Sequence, residues 1–153
     1  MRFLKALVAM VFLLSIPQLW AQTTKEVEEL RSVMEADRLD IVSKNLELTA
    51  EEEERFWGLY RTYRRDMSKL GDRAADLIGQ YARNWGDVSE ELAEKLVRDY
   101  LQVQVEQHQM KMAYIDRFKE VLPNKKIFRL YQIENKLDAL VRFELADSIP
   151  LIE

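Results

Sequence analysis

A chain of 153 residues with no cysteine, 23 basic and 27 acidic residues and a net charge of −4 cannot be held by disulfides. It has no electrostatic case for binding nucleic acid. The missing cysteine also removes a thiol nucleophile and a lipid-anchored N-terminus. The opening MRFLKALVAMVFLLSIPQLWAQ sets Arg2 and Lys5 before a largely apolar run, residues 6–16, followed by Pro17 and Ala21. This is the layout of a secretory signal peptide cleaved after Ala21, residues 1–21. The run reaches only about half of the ~30 Å hydrocarbon layer, so a membrane span is the weaker reading. Leu19 is larger than the residue usual before a cleavage site, and an uncleaved anchor is the alternative. Cleavage leaves residues 22–153, a single exported helical domain with 21 basic against 27 acidic residues, a net charge of −6.

The first helix is expected over residues 25 to about 44, capped by Thr23 with Glu26 and striped by Val27, Leu30, Met34 and Ile41. The second opens at LTAEEEERF. Thr49 can accept from the backbone N–H three residues on while Glu52 reaches back, and four glutamates sit at the positive end of the helix dipole. Its apolar residues Phe56, Tyr60, Tyr63, Met67, Leu70, Ala74, Leu77 and Tyr81 recur at alternating spacings of four and three, a heptad stripe. One helix over 50–83 would be about 50 Å long.

NWGDVSEE supplies a turn at Gly86 and a cap at Ser89. A second long stripe follows through Leu92, Leu96, Tyr100, Val103, Met110, Tyr114 and Val121, with Gln107 as its polar member. The two long helices face each other as a hairpin. A fourth helix begins after Pro123, where the missing N–H does no harm, and runs to about 146 through Ile127, Leu130, Tyr131, Leu137 and Val141. The fold class is all-α: four helices, the two central ones forming an elongated hairpin. Such long helices fit a compact globule of this size poorly, so an elongated shape is expected, with part of the apolar surface buried against a second copy in a homodimer. Ile149, Leu151 and Ile152 are expected to fold back on the bundle, an exposed partner-binding tail being the alternative.

Enzymatic chemistry finds no support. There is no glycine-rich phosphate loop and no G-x-S-x-G elbow, and His108 lies mid-helix with no partner implied by spacing. No cofactor is expected. The glutamates cluster where helix starts favour negative charge. His108 and Met112 share a helix face on which copper could bind, but Met110 belongs to the apolar stripe, and core filling is the stronger reading; no metal site is assigned.

Arg61, Arg65, Lys69 and Arg73 recur every four residues, a positive ribbon beside the aromatic stripe in an acidic protein. One reading is a solvated face paired with Asp66, Asp72 and Asp76. The other is a client-binding surface, where charge recruits acidic or unfolded chains and aromatics with long aliphatic stems hold them loosely.

LTAEE, Leu48 to Glu52, resembles the LTxxQ motif of the Spy/CpxP family of periplasmic helical proteins, with Glu52 in place of glutamine. VLPNKK, Val121 to Lys126, keeps the proline of a second such motif but has Leu122 and Lys125 where the family has threonine and glutamine. The resemblance implies a periplasmic location and thin, cradle-like dimers of long helices that act as ATP-independent chaperones or as accessory regulators of envelope-stress signalling. Unfolded or envelope proteins would be the partners. A structural or inhibitory partner of one membrane protein is the alternative function, and a metal-binding sensor a third.

Overall fold

The computed structural model describes residue 32 and residues 37–152, with four helices and no strand among them. The proposed signal peptide, the Thr23 cap and the stripe residues Val27, Leu30 and Met34 lie outside the described residues. Helix α1 is described over 37–46. Helix α2 spans Ala50–Arg83, α3 Glu90–Lys119 and α4 Asn124–Ser148. At 34 residues, α2 is about 51 Å long.

The local signals act where the sequence places them. Thr49 Oγ1 accepts from Glu52 N at 3.3 Å and Glu52 Oε2 accepts from Thr49 N at 2.8 Å, a closed capping box that starts α2. Gly86 turns the hairpin at φ +81°, a conformation that side chains with a Cβ resist, and Ser89 Oγ caps α3 by accepting from Leu92 N at 3.2 Å. Helix α4 starts at Pro123 without a side-chain cap, as the substitutions in VLPNKK imply.

Antiparallel packing of α2 on α3 builds the hairpin, and α1 and α4 close its base. The main core joins Val42 and Leu46 of α1, Phe56, Tyr60, Tyr63 and Met67 of α2, Tyr114 and Phe118 of α3, and Leu122, Ile127 and Leu130. Its aromatic rings interlock: Phe56 stacks on Tyr60 at 5.2 Å, and Tyr63 meets Tyr114 edge-on at 5.1 Å. Such pairs contribute about 0.5–1.5 kcal/mol beyond area burial. Toward the hairpin tip the core thins to Leu70, Leu77 and Val103, with Ala74 and Leu96 beside them and Met110 bridging the two clusters.

Three expectations are corrected. Val42 and Leu46 carry the buried face of α1, with Ile41 only half-buried at its edge. Tyr100 is exposed, because Leu96 and Val103 fill the α2-facing side of α3. At the C-terminus, Tyr81 Oη donates to the Pro150 carbonyl at 3.0 Å and Ile149 is half-buried, yet Leu151 and Ile152 stay 87% and 57% exposed. The tail is anchored through its backbone, and its last apolar side chains extend past the packed surface. No described helix is long and apolar enough to cross a membrane.

Candidate protein-binding surface

The four residues of the basic ribbon are all exposed on α2. Asp66 stands 3.6 Å from Arg65 Nε and 3.2 Å from Lys69 Nζ. It also accepts from Tyr114 Oη at 2.7 Å, the main reason its carboxyl is held below the usual range. Arg73 reaches across to Glu106 of α3, its Nη2 lying 3.2 Å from Oε1. Arg61 has no ion pair among the described residues. Exposed pairs of this kind are weak and open to exchange with a partner's carboxylates, so Arg65, Lys69 and Arg73 are held only loosely beside Arg61. The aromatic stripe expected beside it is in the core: Phe56, Tyr60 and Tyr63 are fully buried. Any apolar contact with a partner must come from elsewhere.

The capping motif has a second use. Leu48 packs against the core, and Glu52, besides closing the box with Thr49, accepts from Lys126 Nζ of α4 at 2.5 Å. Lys126 first and Thr49 second hold the Glu52 carboxyl below its ordinary range. Lys126 also donates to the Glu47 carbonyl at 2.7 Å, and Arg129 pairs with the Glu47 carboxylate at 2.7 Å. Glu47 forms the α1–α2 corner at φ 54°. Glu52, which stands where the LTxxQ motif has glutamine, thus ties the start of α2 to α4 through Lys126.

The apolar surface lies on α3. Val97, Leu101, Val105 and Met112 are all exposed, and their spacing of four, four and seven puts them on one helix face pointing away from α2. Ala93, Val97 and Leu101 floor a shallow trough rimmed by Glu90, Glu91, Glu94 and Arg98. The single apolar stripe expected on α3 does not include this row; its signal in the sequence is that α3 has too many apolar residues for one face.

A buried polar knot, also absent from the sequence-based expectations, joins all four helices. Glu134 of α4 is fully buried, with Tyr60 Oη donating to Oε1 at 2.5 Å and Arg38 and Arg64 reaching Oε2 at 2.8 and 2.9 Å. Asp138 accepts from Arg38 at 3.1 Å and from Lys111 of α3 at 2.8 Å. Burial works against the Asp138 charge, but Lys111, Arg38 and Arg64 outweigh it and hold the carboxyl below its usual range. Burial first, and the Glu134 charge second, raise the Tyr60 and Tyr63 hydroxyls far above the ordinary phenol value and push Tyr131 up to about 12. A legible signal exists: Ile127, Leu130, Glu134, Leu137 and Val141 keep heptad phase, so Glu134 occupies a core position.

His108 Nδ1 lies 2.8 Å from the Gln104 carbonyl, and Met112 is exposed while Met110 packs in the core. No cluster of three histidine or carboxylate side chains that could hold a metal occurs among the described residues. No family model, curated protein or solved structure matches this chain.

Proposed function

We propose that the protein is an exported, ATP-independent chaperone or envelope-stress accessory protein of the Spy/CpxP type, holding unfolded or partner proteins along an elongated helical surface. The observation that carries this reading is the exposed row Val97, Leu101, Val105 and Met112 on the outer face of α3. An unpartnered apolar row with a charged rim suits loose contact with extended chains, and the basic ribbon of α2 recruits their acidic segments by long-range attraction. The closed capping box at Thr49 supports the relation to the LTxxQ proteins. Two copies in a dimer would lengthen this surface, and light scattering on the purified chain reads that state directly. The test of function is suppression of aggregation of two chemically different unfolded clients without nucleotide. No protection at a few-fold molar excess removes the reading.

A second reading, a dedicated binder of one membrane protein, is favoured by the tail, which is anchored at Pro150 and presents Leu151 and Ile152 to solvent. Pull-down from envelope extracts separates the two: many weakly held proteins for the first, one stoichiometric band lost on deleting 151–153 for the second.

A further inference from the structure

We propose that the outward face of α4 docks on the surface of an anionic lipid bilayer. By sequence α4 is nearly balanced, with Lys125, Lys126, Arg129, Lys136 and Arg142 against Glu134, Glu144, Asp138 and Asp147. The fold separates these charges. Glu134 is fully buried and the Asp138 side chain is 19% exposed, both engaged by Arg38. Lys125, Arg129 and Lys136 point to solvent. Phe128 and Phe143, 67% and 69% exposed, and Leu140, 57% exposed, share their face. Lys125, Arg129, Lys136, Leu140 and Phe143 follow spacings of four, seven, four and three, a single row about 27 Å long.

The row runs along the outer side of a single helix, and neither the shallow depression on α3 nor the one between α2 and α3 includes an α4 residue. A peptide that docks by filling a groove gains little on such a face. A planar headgroup layer needs no groove. Lysine and arginine side chains meet its phosphates while the two phenylalanines and Leu140 enter the boundary with the acyl chains. The chain leaves α4 toward the exposed Leu151 and Ile152, which extend the same apolar character. Glu47 pairs with Arg129 within the row, and Glu144 and Asp147 lie at its C-terminal end, so Lys125 and Lys136 carry most of its attraction for phosphate. With a net charge of −4 on the whole chain, attraction to an anionic membrane is confined to its basic patches, of which the α4 face also carries exposed phenylalanines. No described helix can span, so α4 would lie on the bilayer. This proposal does not depend on client binding, which uses α2 and α3.

The test is co-sedimentation of the protein, purified after export under its own leader, with phosphatidylcholine vesicles with and without phosphatidylglycerol. Two variants are compared with wild type, Lys125→Glu with Lys136→Glu and Phe128→Ser with Phe143→Ser. Expected is salt-sensitive partition onto the anionic vesicles, weakened about tenfold or more in each variant at unchanged helicity. If charge reversal disturbs helicity, Lys125→Gln with Lys136→Gln carries the same comparison. The comparison reads the α4 share of binding whether or not the leader is retained. Absence of partition onto phosphatidylglycerol vesicles, equal binding by wild type and variants, or binding of polyglutamate through this face without vesicle binding overturns the proposal.

Discussion

Arg38 Nη1 of α1 lies 2.8 Å from Glu134 Oε2 of α4, and the two side chains are 3% and 1% exposed. They are 96 positions apart in sequence, so this contact closes the bundle from its first described helix to its last. Removing one member of a buried pair strands the other charge, which costs about 3–5 kcal/mol. Glu134→Ala is therefore expected to lower unfolding free energy by that amount, since Arg64 and Tyr60 lose the same partner. Arg38→Met should also destabilise, and the double change should fall well short of the sum. Urea unfolding of the four proteins in a double-mutant cycle measures this; additive losses would mean that the pair is not coupled.

Tyr60 and Tyr63 are one helical turn apart and equally buried, but their hydroxyls differ. Tyr60 Oη donates to Glu134, whereas Tyr63 Oη has no hydrogen-bond partner among the described residues. A hydrogen bond to a charged group contributes about 1.5–3 kcal/mol, and a buried unsatisfied hydroxyl costs about 1–3 kcal/mol. Tyr60→Phe should thus destabilise while Tyr63→Phe leaves stability equal or raises it. Equal losses in thermal melts of the two variants would contradict the assignment.

The contrast also marks what the residues alone could tell. Helix α2 is legible from end to end because the Thr49–Glu52 box and the heptad stripe act within one segment, and both agree with Ala50–Arg83. The knot is not, because Glu134 makes sense only with Arg38, Arg64 and Lys111 from three other helices. The exposed row of α3 and the basic face of α4 are likewise tertiary facts. A stripe says that a helix has an apolar face, but not which additional apolar residues stay uncovered, nor which of its acids turn inward.

Titration should expose the same knot from both ends of the pH scale. Tyr131 is raised to about 12, and Tyr60 and Tyr63 shift in the same direction. A phenol that holds its proton more tightly when folded stabilises fully below its unfolded value of about 10, and the contribution is lost as pH rises through the folded value. Asp138 is shifted the other way, so its contribution is fully present above about pH 4 and is lost as pH falls through its depressed folded value. Unfolding free energy should therefore drop between about pH 10 and 12, with tyrosinate absorbance rising together with loss of helicity. Tyrosinate of Tyr60, Tyr63 or Tyr131, read as the difference between wild type and the corresponding Phe variant, forming near the ordinary phenol value in a fully helical protein would contradict the burial of these hydroxyls.

On the proposed chaperone reading, client binding would divide between two surfaces that make different demands on salt. The exposed ribbon Arg61, Arg65, Lys69 and Arg73 would act through charge at a distance, and the exposed Val97, Leu101 and Val105 through contact. Raising ionic strength to about 0.5 M shortens the Debye length to roughly 4 Å and should weaken protection of an acidic client by wild type. Replacing Arg61, Arg65 and Lys69 by alanine should lower protection at low salt and remove most of its salt dependence. Replacing Val97, Leu101 and Val105 by serine should lower protection at every salt concentration and leave the salt dependence in place. All six side chains are exposed, and surface changes usually move stability by within about 0.5 kcal/mol, so helicity and melting temperature act as controls. Aggregation assays run across a salt series on the three proteins decide between the surfaces. If the serine variant protects as well as wild type, the α3 row is not the contact; if the alanine variant keeps the wild-type salt response, recruitment does not run through the ribbon.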